Sequence, residues 1–228
     1  MDDQLPVVAI DGPAGSGKST VARNVARRLG YTFLDTGALY RAVALLAQRR
    51  NVSWENGEQL GEMLSQVELS IEPAETGCAV FADGDDVSEE LRSEEISRGA
   101  SKVSRHPQVR QALLDLQRSF VTRGPLVAEG RDMATVVFPQ AALKIYLDAS
   151  VDVRAQRRYQ QMLGSGQPAD LEEIRRAAQV RDQQDSTRAV APLACADDAT
   201  LVDTSDLNID QVVDKIVALA RARITSGR

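Results

Sequence analysis

The chain has 228 residues, 43% hydrophobic and 26% charged, which suits an ordinary globular protein with room for one large domain and insertions. Its net charge of −6 argues against general nucleic-acid binding, and no apolar run approaches the ~18 residues of a membrane span. One histidine and two distant cysteines, Cys78 and Cys195, exclude a multi-histidine metal site and a CxxC zinc or redox motif. The acidic opening "MDDQLP" lacks the basic and apolar regions of a signal peptide, so a cytoplasmic location is expected. His106 precedes Pro107, the setting of a turn or helix start more than of a catalytic base.

The first predicted element is "PVVAI", a short apolar run of the kind that forms a buried parallel strand. It leads into Gly12, Pro13, Ala14, Gly15, Ser16, Gly17, Lys18, Ser19 and Thr20, which fit G-x-x-x-x-G-K-[ST]. A helix follows, with Val21, Val25 and Leu29 at i, i+4 and i+8 and a natural stop at Gly30. Strand, glycine loop and helix is the setting such a phosphate loop requires. Glycines let successive N–H groups point at oxygens, and the helix N-terminus adds a positive dipole. Lys18 then bridges the β- and γ-phosphates and the Ser19 hydroxyl ligates Mg²⁺. The expected ligand is a nucleoside triphosphate.

A second run, "YTFLD", precedes a helix with Leu39, Val43 and Leu46 on one side. Between Val52 and Phe120 the rhythm changes: "QVELSIEP", "GCAVFADGD" and "DDVSEEL" read as short antiparallel strands, followed by two helices. This stretch reads as a small subdomain inserted over the mouth of the core. Buried-strand patterns return at "PLVAEG", "LKIYLD" and "ATLVD", with helical patterns after them. "GSGQPAD", at 164–170, is a flexible spot between helices where a lid could hinge. Alternating strands and helices argue for an α/β fold with a parallel sheet flanked by helices, and for ligands at the carboxyl ends of its strands.

Three clusters stand at predicted strand ends or helix starts. "DTGALYR" brings Thr36, Tyr40 and Arg41, "AEGRDMATVVFP" brings Arg131 and Asp132, and "RDQQDSTR" places Arg181, Asp185 and Arg188 on one helical face. Each of them alone reads more readily as a solvated salt-bridge face; three at one sheet edge are harder to dismiss. Only four of the 27 basic residues are lysine, and the planar fork of arginine suits phosphate and carboxylate.

Taken together, "IDGPAGSGKST", "LDTGALYR", "EGRDMATVVFP", "KIYLDAS" and "RDQQDSTRAVAPL" resemble the bacterial cytidylate kinase family over essentially the whole chain. The resemblance implies a P-loop nucleoside monophosphate kinase fold, a single domain over 1–228 with a monophosphate-binding insertion at about 60–108 and a short lid at about 155–170. It implies transfer of the γ-phosphoryl of ATP·Mg²⁺ to CMP or dCMP in pyrimidine nucleotide metabolism, by a cytoplasmic monomer. Carried over residue by residue, Arg41, Arg131 and Arg188 would hold the acceptor phosphate. Ser101, Arg110 and Asp132 would read the cytosine edge, and Arg181 with Asp185 the ribose; Thr36 and Tyr40 complete the acceptor set. Arg157 and Arg158 resemble lid arginines that close on the transferring phosphoryl. The chain departs from the family pattern at Ala134 and Gln140, where a glycine and an acidic residue are expected. If the glycine position has a positive φ, alanine costs about 1 kcal/mol there.

Two other readings stay open on the sequence. A P-loop sugar or shikimate kinase would share the loop and the sheet without needing the long insertion. A nucleotide-sensing switch of the GTPase kind would carry an N-K-x-D base-reading motif, which this sequence lacks.

Overall fold

The computed structural model describes residues 5–74 and 77–226, so the opening tetrapeptide read above lies outside the described residues. Its centre is a five-stranded parallel sheet in the order β2-β6-β1-β7-β8. These strands are β1 (Leu5–Asp11), β2 (Thr32–Asp35), β6 (Leu126–Gly130), β7 (Ala141–Asp148) and β8 (Thr200–Asp203). The period-2 geometry of a strand sorts β1 into two cores: Val7 and Ala9 pack on one face, Val8 and Ile10 on the other. β6 is buried at every position, as a central parallel strand covered on both sides must be.

The second face is covered by α1 (Lys18–Leu29) and α8 (Ile209–Ser226), whose Val21, Val25, Val213 and Ile216 form one cluster with Ile10, Ile145 and Leu147. Gly30 closes α1 in the left-handed conformation (φ 70°), its N–H turned to the carbonyls of Ala26 and Arg27. The first face carries α2 (Thr36–Arg49). Asp35 caps it, its carboxylate accepting the Ala38 N–H at 3.1 Å. The sequence pattern gives α2 one apolar side, yet Ala42, Val43, Ala44, Leu45, Leu46 and Ala47 are all buried in succession. The helix is sandwiched: the sheet lies on one flank and the elements of residues 57–119 on the other.

Those elements are α3 (Gly57–Leu64), an antiparallel sheet of β3 (Leu69–Ala74), β4 (Gly77–Ala82) and β5 (Asp85–Asp86), then α4 (Glu94–Val103) and α5 (Pro107–Ser119). Two differ from the sequence reading. α3 is an added helix, capped by the Asn56 side chain and buried through Leu60, Met63 and Leu64; at eight residues it is too short for its i, i+3, i+4 pattern to stand out. "DDVSEEL" supplies only two paired residues before the chain turns into a 3₁₀ segment at Glu90–Arg92, where Leu91 is buried. Trp54 joins this region to α2, its Nε1 donating to the Ala44 carbonyl at 2.9 Å. A Cβ on Gly99 of α4 would stand 2.7 Å from the indole, so α4 crosses α2 there with no room for a side chain. His106 is the residue before α5, and its Nε2 lies 2.9 Å from the Trp54 carbonyl oxygen, a helix-start position as the sequence indicates.

After β7 come α6 (Val151–Gly164) and α7 (Leu171–Thr187), packed against each other. Between β6 and β7 residues Met133–Val137 form a π-helical turn that no periodicity announces. Ala134 lies inside it, outside the left-handed region that only Asn51, Asp83 and Ala191 enter among the described non-glycine residues. The alanine therefore carries none of the conformational cost that the sequence comparison raised.

Candidate active site

The carboxyl ends of β1, β2 and β6 open into one cleft of about 880 Å³. Along one side runs the glycine loop. Gly12 has φ 149° and a Cβ there would stand 2.0 Å from the Leu147 carbonyl oxygen, so only glycine lets the chain leave β1 against β7. Gly15 and Gly17 also take positive φ values, 77° and 92°, and Gly17 starts α1 without any side-chain cap. The first N–H groups of that helix thus face the cleft with no intrahelical acceptor. Ala14, Gly15, Ser16, Gly17, Lys18, Ser19 and Thr20 line it, with Gly12 and Pro13 behind them. Lys18 is buried, and its Nζ donates to the Pro13 carbonyl at 2.6 Å and to Ser16 Oγ at 3.4 Å. Burial, with the Arg131 guanidinium nearby, pushes its ammonium down to about 7. An anion in the loop would reverse that.

Opposite lies a mesh of arginines and aspartates drawn from α2, α5, the β6 end and α7. Arg131 donates from Nε to Asp185 Oδ2 at 2.9 Å. Arg110 donates to Asp132 and to the Ser104 carbonyl, and its guanidinium sits 5.6 Å from the Tyr40 ring centroid. Arg41 pairs with Asp35 at 2.8 Å. Burial pushes Asp185 up, but Arg131 and Arg181 outweigh it and hold its carboxyl below the usual range. Arg181 itself is pulled down to about 10 by burial and by Arg131 beside it. Arg41, Arg110, Arg131, Arg181 and Arg188 at one cleft wall repel one another, and a phosphate among them relieves that repulsion.

All of the expected site residues from Ala14 onward line this single cleft, Ser101 and Thr36 included. Their roles within it differ from a simple reading in two places. The Thr36 hydroxyl donates to the Glu129 carbonyl at 2.7 Å, which ties α2 to β6. Arg188 lies one residue beyond the end of α7, in extended conformation (ψ 143°), so the shared helical face holds only for Arg181 and Asp185. Its Nε donates to the Ala191 carbonyl at 2.5 Å and its Nη2 lies 3.7 Å from Asp132 Oδ1. Of the two α6 arginines, Arg157 donates to the Thr204 carbonyl at 2.6 Å and to the Ser16 carbonyl at 3.4 Å, while Arg158 pairs with Glu94 of α4 across the cleft.

Four charged residues went unremarked in the sequence. Asp35 and Glu129 are the acidic residues at the ends of β2 and β6, and Asp11 ends β1; an acid at a parallel-strand end was the readable signal. Burial, with Asp35 beside it, raises Glu129 to about 7, opposed by Lys18 and Ser19. Arg154 of α6 gave no such signal. It is buried, donates to the Ala14 carbonyl at 3.0 Å and pairs with Asp182 of α7 at 2.6 Å, so the two helices grip the glycine loop from behind. The wall formed by Thr204, Leu207, Asn208, Ile209 and Val212, whose apolar part is Leu207, Ile209 and Val212, was missed as well.

A divalent cation fits the donor side. Glu129 Oε1 is buried without a hydrogen-bond partner, and Asp35 and the Ser19 hydroxyl share its corner of the cleft. No group of three or more acidic, histidine or cysteine side chains among the described residues forms a metal cage. An ion here would take most of its oxygens from phosphate and water, which is the habit of magnesium.

A phosphate loop facing an arginine-lined acceptor wall across one cleft, on a parallel sheet, defines a P-loop kinase. A family model for cytidylate kinase matches residues 8–222. Similar proteins named cytidylate kinase occur in Polynucleobacter asymbioticus (46% identical, covering 93% of this chain and 95% of the relative) and in Chromobacterium violaceum (45%, covering 98% and 99%). Another, from Exiguobacterium sibiricum, is 43% identical over 95% of this chain and 97% of its own. The chain belongs to the cytidylate kinase family.

Proposed function

We propose that this protein transfers the γ-phosphoryl group of ATP to CMP or dCMP, giving ADP and CDP or dCDP. The observation that carries this is the single cleft in which the glycine loop with Lys18 faces the Arg131–Asp185 pair and the buried Arg110–Asp132 pair. The triphosphate lies along Gly12–Thr20, with Lys18 on its β- and γ-phosphates. The donor base rests on Leu207, Ile209 and Val212, beside Arg157. Arg41, Arg131 and Arg188 take the acceptor phosphate, Arg181 and Asp185 the ribose, and Ser101, Arg110 and Asp132 the cytosine edge against Tyr40. A magnesium ion held at Ser19, near Glu129 and Asp35, would neutralise charge on the β- and γ-phosphates.

An oxygen of the acceptor phosphate attacks the γ-phosphorus in line as the bond to the β–γ bridging oxygen breaks. Positioning and neutralisation of the three equatorial oxygens are nearly all that this chemistry requires. Lys18, Arg131, Arg157, Arg158 and Arg188 supply them. Residues at about 60–108 serve as the acceptor-binding insertion and those at about 155–170 as the lid, with Arg158–Glu94 spanning the two. The protein is taken as a cytoplasmic monomer with no nucleic-acid or membrane partner; among the described residues no helix is long and apolar enough to cross a membrane. A coupled ADP-release assay with CMP, dCMP, UMP, AMP and shikimate tests the reading. Turnover confined to CMP and dCMP is expected, and equal turnover of UMP or any use of shikimate overturns it.

A further inference from the structure

We propose that Asp11 is a positioning residue for the acceptor base, fixing the segment that carries Arg131 and Asp132 to the strand that ends in the phosphate loop. Asp11 is the last residue of β1, directly before Gly12, and is 1% exposed. Its two carboxylate oxygens are divided between two backbone donors. Oδ1 accepts the Met133 N–H at 2.9 Å and Oδ2 the Ala134 N–H at 2.8 Å. These are the first two N–H groups of the π-helical turn, which have no acceptor inside it. Met133 and Ala134 are themselves buried, at 1% and 3% exposure, so water is a poor substitute.

Asp132 stands immediately before this turn. Its side chain is gripped by Arg110 and approached by Arg188, but its backbone, at φ −148° and ψ 25°, belongs to no regular element. Its carbonyl accepts the Val136 and Val137 N–H groups at 2.9 and 3.1 Å, which ties it to the turn, and two clamps hold that turn. At the far end Arg118 donates to the carbonyls of Val136 and Val137, at 3.0 and 3.2 Å. At the near end the clamp is Asp11. A carboxylate in this place is costly: burial raises Asp11 to about 6, and Asp132 adds to the rise, with the two N–H groups and Lys18 opposing it. Asparagine would fill the same volume but present an NH₂ to one of the two N–H groups. Two converging backbone donors call for a group that only accepts.

The consequence is a direct link from donor loop to acceptor reader. Because Gly12 follows Asp11, a shift of the π-turn and a shift of the glycine loop are tied at adjacent residues. The inference rests on the assignment of Asp132 to the cytosine edge, so Asp11→Asn and Asp132→Ala are assayed side by side with CMP and UMP. For Asp11→Asn we expect the KM for CMP to rise and the CMP/UMP ratio of kcat/KM to narrow, each by about tenfold, the scale of one hydrogen bond to a charged group. The KM for ATP stays nearly unchanged, and Asp11→Ala goes further in the same direction. Equal rises in both KM values with an unchanged CMP/UMP ratio would show that Asp11 serves the donor loop and overturn the inference. If Asp132→Ala narrows the ratio and Asp11→Asn does not, the inference fails while the base assignment stands. If neither does, the base assignment fails. Should the variants not fold, amide hydrogen exchange in the unaltered protein decides: Met133 and Ala134 are expected among the protected amides, and fast exchange at either overturns the clamp.

Discussion

The two halves of the cleft are built by different means. The donor half is largely main chain: glycine turns at Gly12, Gly15 and Gly17, the uncapped start of α1, and a single lysine. The acceptor half is side chain: Arg41 of α2, Arg110 of α5, Arg131 at the β6 end, Arg157 and Arg158 of α6 and Arg188 just past α7 are each committed to a carboxylate or carbonyl, while the Nε of Arg181 on α7 is buried without a partner. A main-chain cradle is continuous in sequence and indifferent to the base it serves. A side-chain mesh is assembled only in the folded protein, and it can discriminate.

The comparison is most severely tested at Lys18, the one side chain on which the donor half leans. Lys18→Ala is expected to cost on the order of 10³-fold in turnover with the fold intact by circular dichroism; near-normal rates would put the phosphate elsewhere. On the acceptor side, Arg188→Ala is expected to lower kcat about 10²-fold, as for a misplaced reacting group. Equilibrium ATP binding by calorimetry should change far less. A matched loss of ATP affinity would erase the distinction between the halves.

Discrimination itself is read at Asp132. A carboxylate accepts from the cytosine amino group and repels the uracil carbonyl, so Asp132→Ala should narrow the CMP/UMP ratio of kcat/KM by roughly 1–3 kcal/mol. Loss of activity on both substrates alike would reassign Asp132 to folding. The smaller effects concern stability. Glu129 moves from an ordinary 4.5 to about 7 on folding, so between these values the native state holds more protons than the unfolded one. Stability then falls as pH rises through that window, with Asp11 contributing in the same sense up to about 6. Glu129→Gln should flatten the dependence of Tm on pH there, and an unchanged slope would mean that Glu129 titrates normally. Smallest of all is Arg175→Ala. Arg175 is on α7 but pairs with Glu172 and with Asp152 of α6, away from the cleft, and the change should stay within about 0.5 kcal/mol in stability and leave kinetics alone.

The same contrast governs what could be read before the fold was known. All five core strands and the helices α1, α2, α6, α7 and α8 declare themselves through apolar runs, and the glycine loop through its spacing, because each is local. Arg181 and Asp185 share a face that i, i+4 spacing predicts. Arg188 does not, since the chain leaves the helix at Thr187 and the side chain returns only by bonding Ala191. Arg154 was illegible because its partners, Ala14 and Asp182, lie far away in sequence on both sides. The π-helical turn has no sequence period at all; it exists because Asp11 and Arg118 satisfy its two ends. The roles of Arg110 and Ser101 came from family resemblance, and α5 and α4 bring both to the cleft wall.

Trp54 has a use beyond packing. It is the only tryptophan in the chain, hydrogen-bonded to α2 and pressed against Gly99 of α4, the helix that also carries Ser101. Ultraviolet emission from this protein therefore originates almost wholly at that one junction. Any tilt of α4 relative to α2 changes the polarity around a single indole. Stopped-flow fluorescence on the unlabelled protein would report any such tilt in real time, with no dye attached and no residue changed.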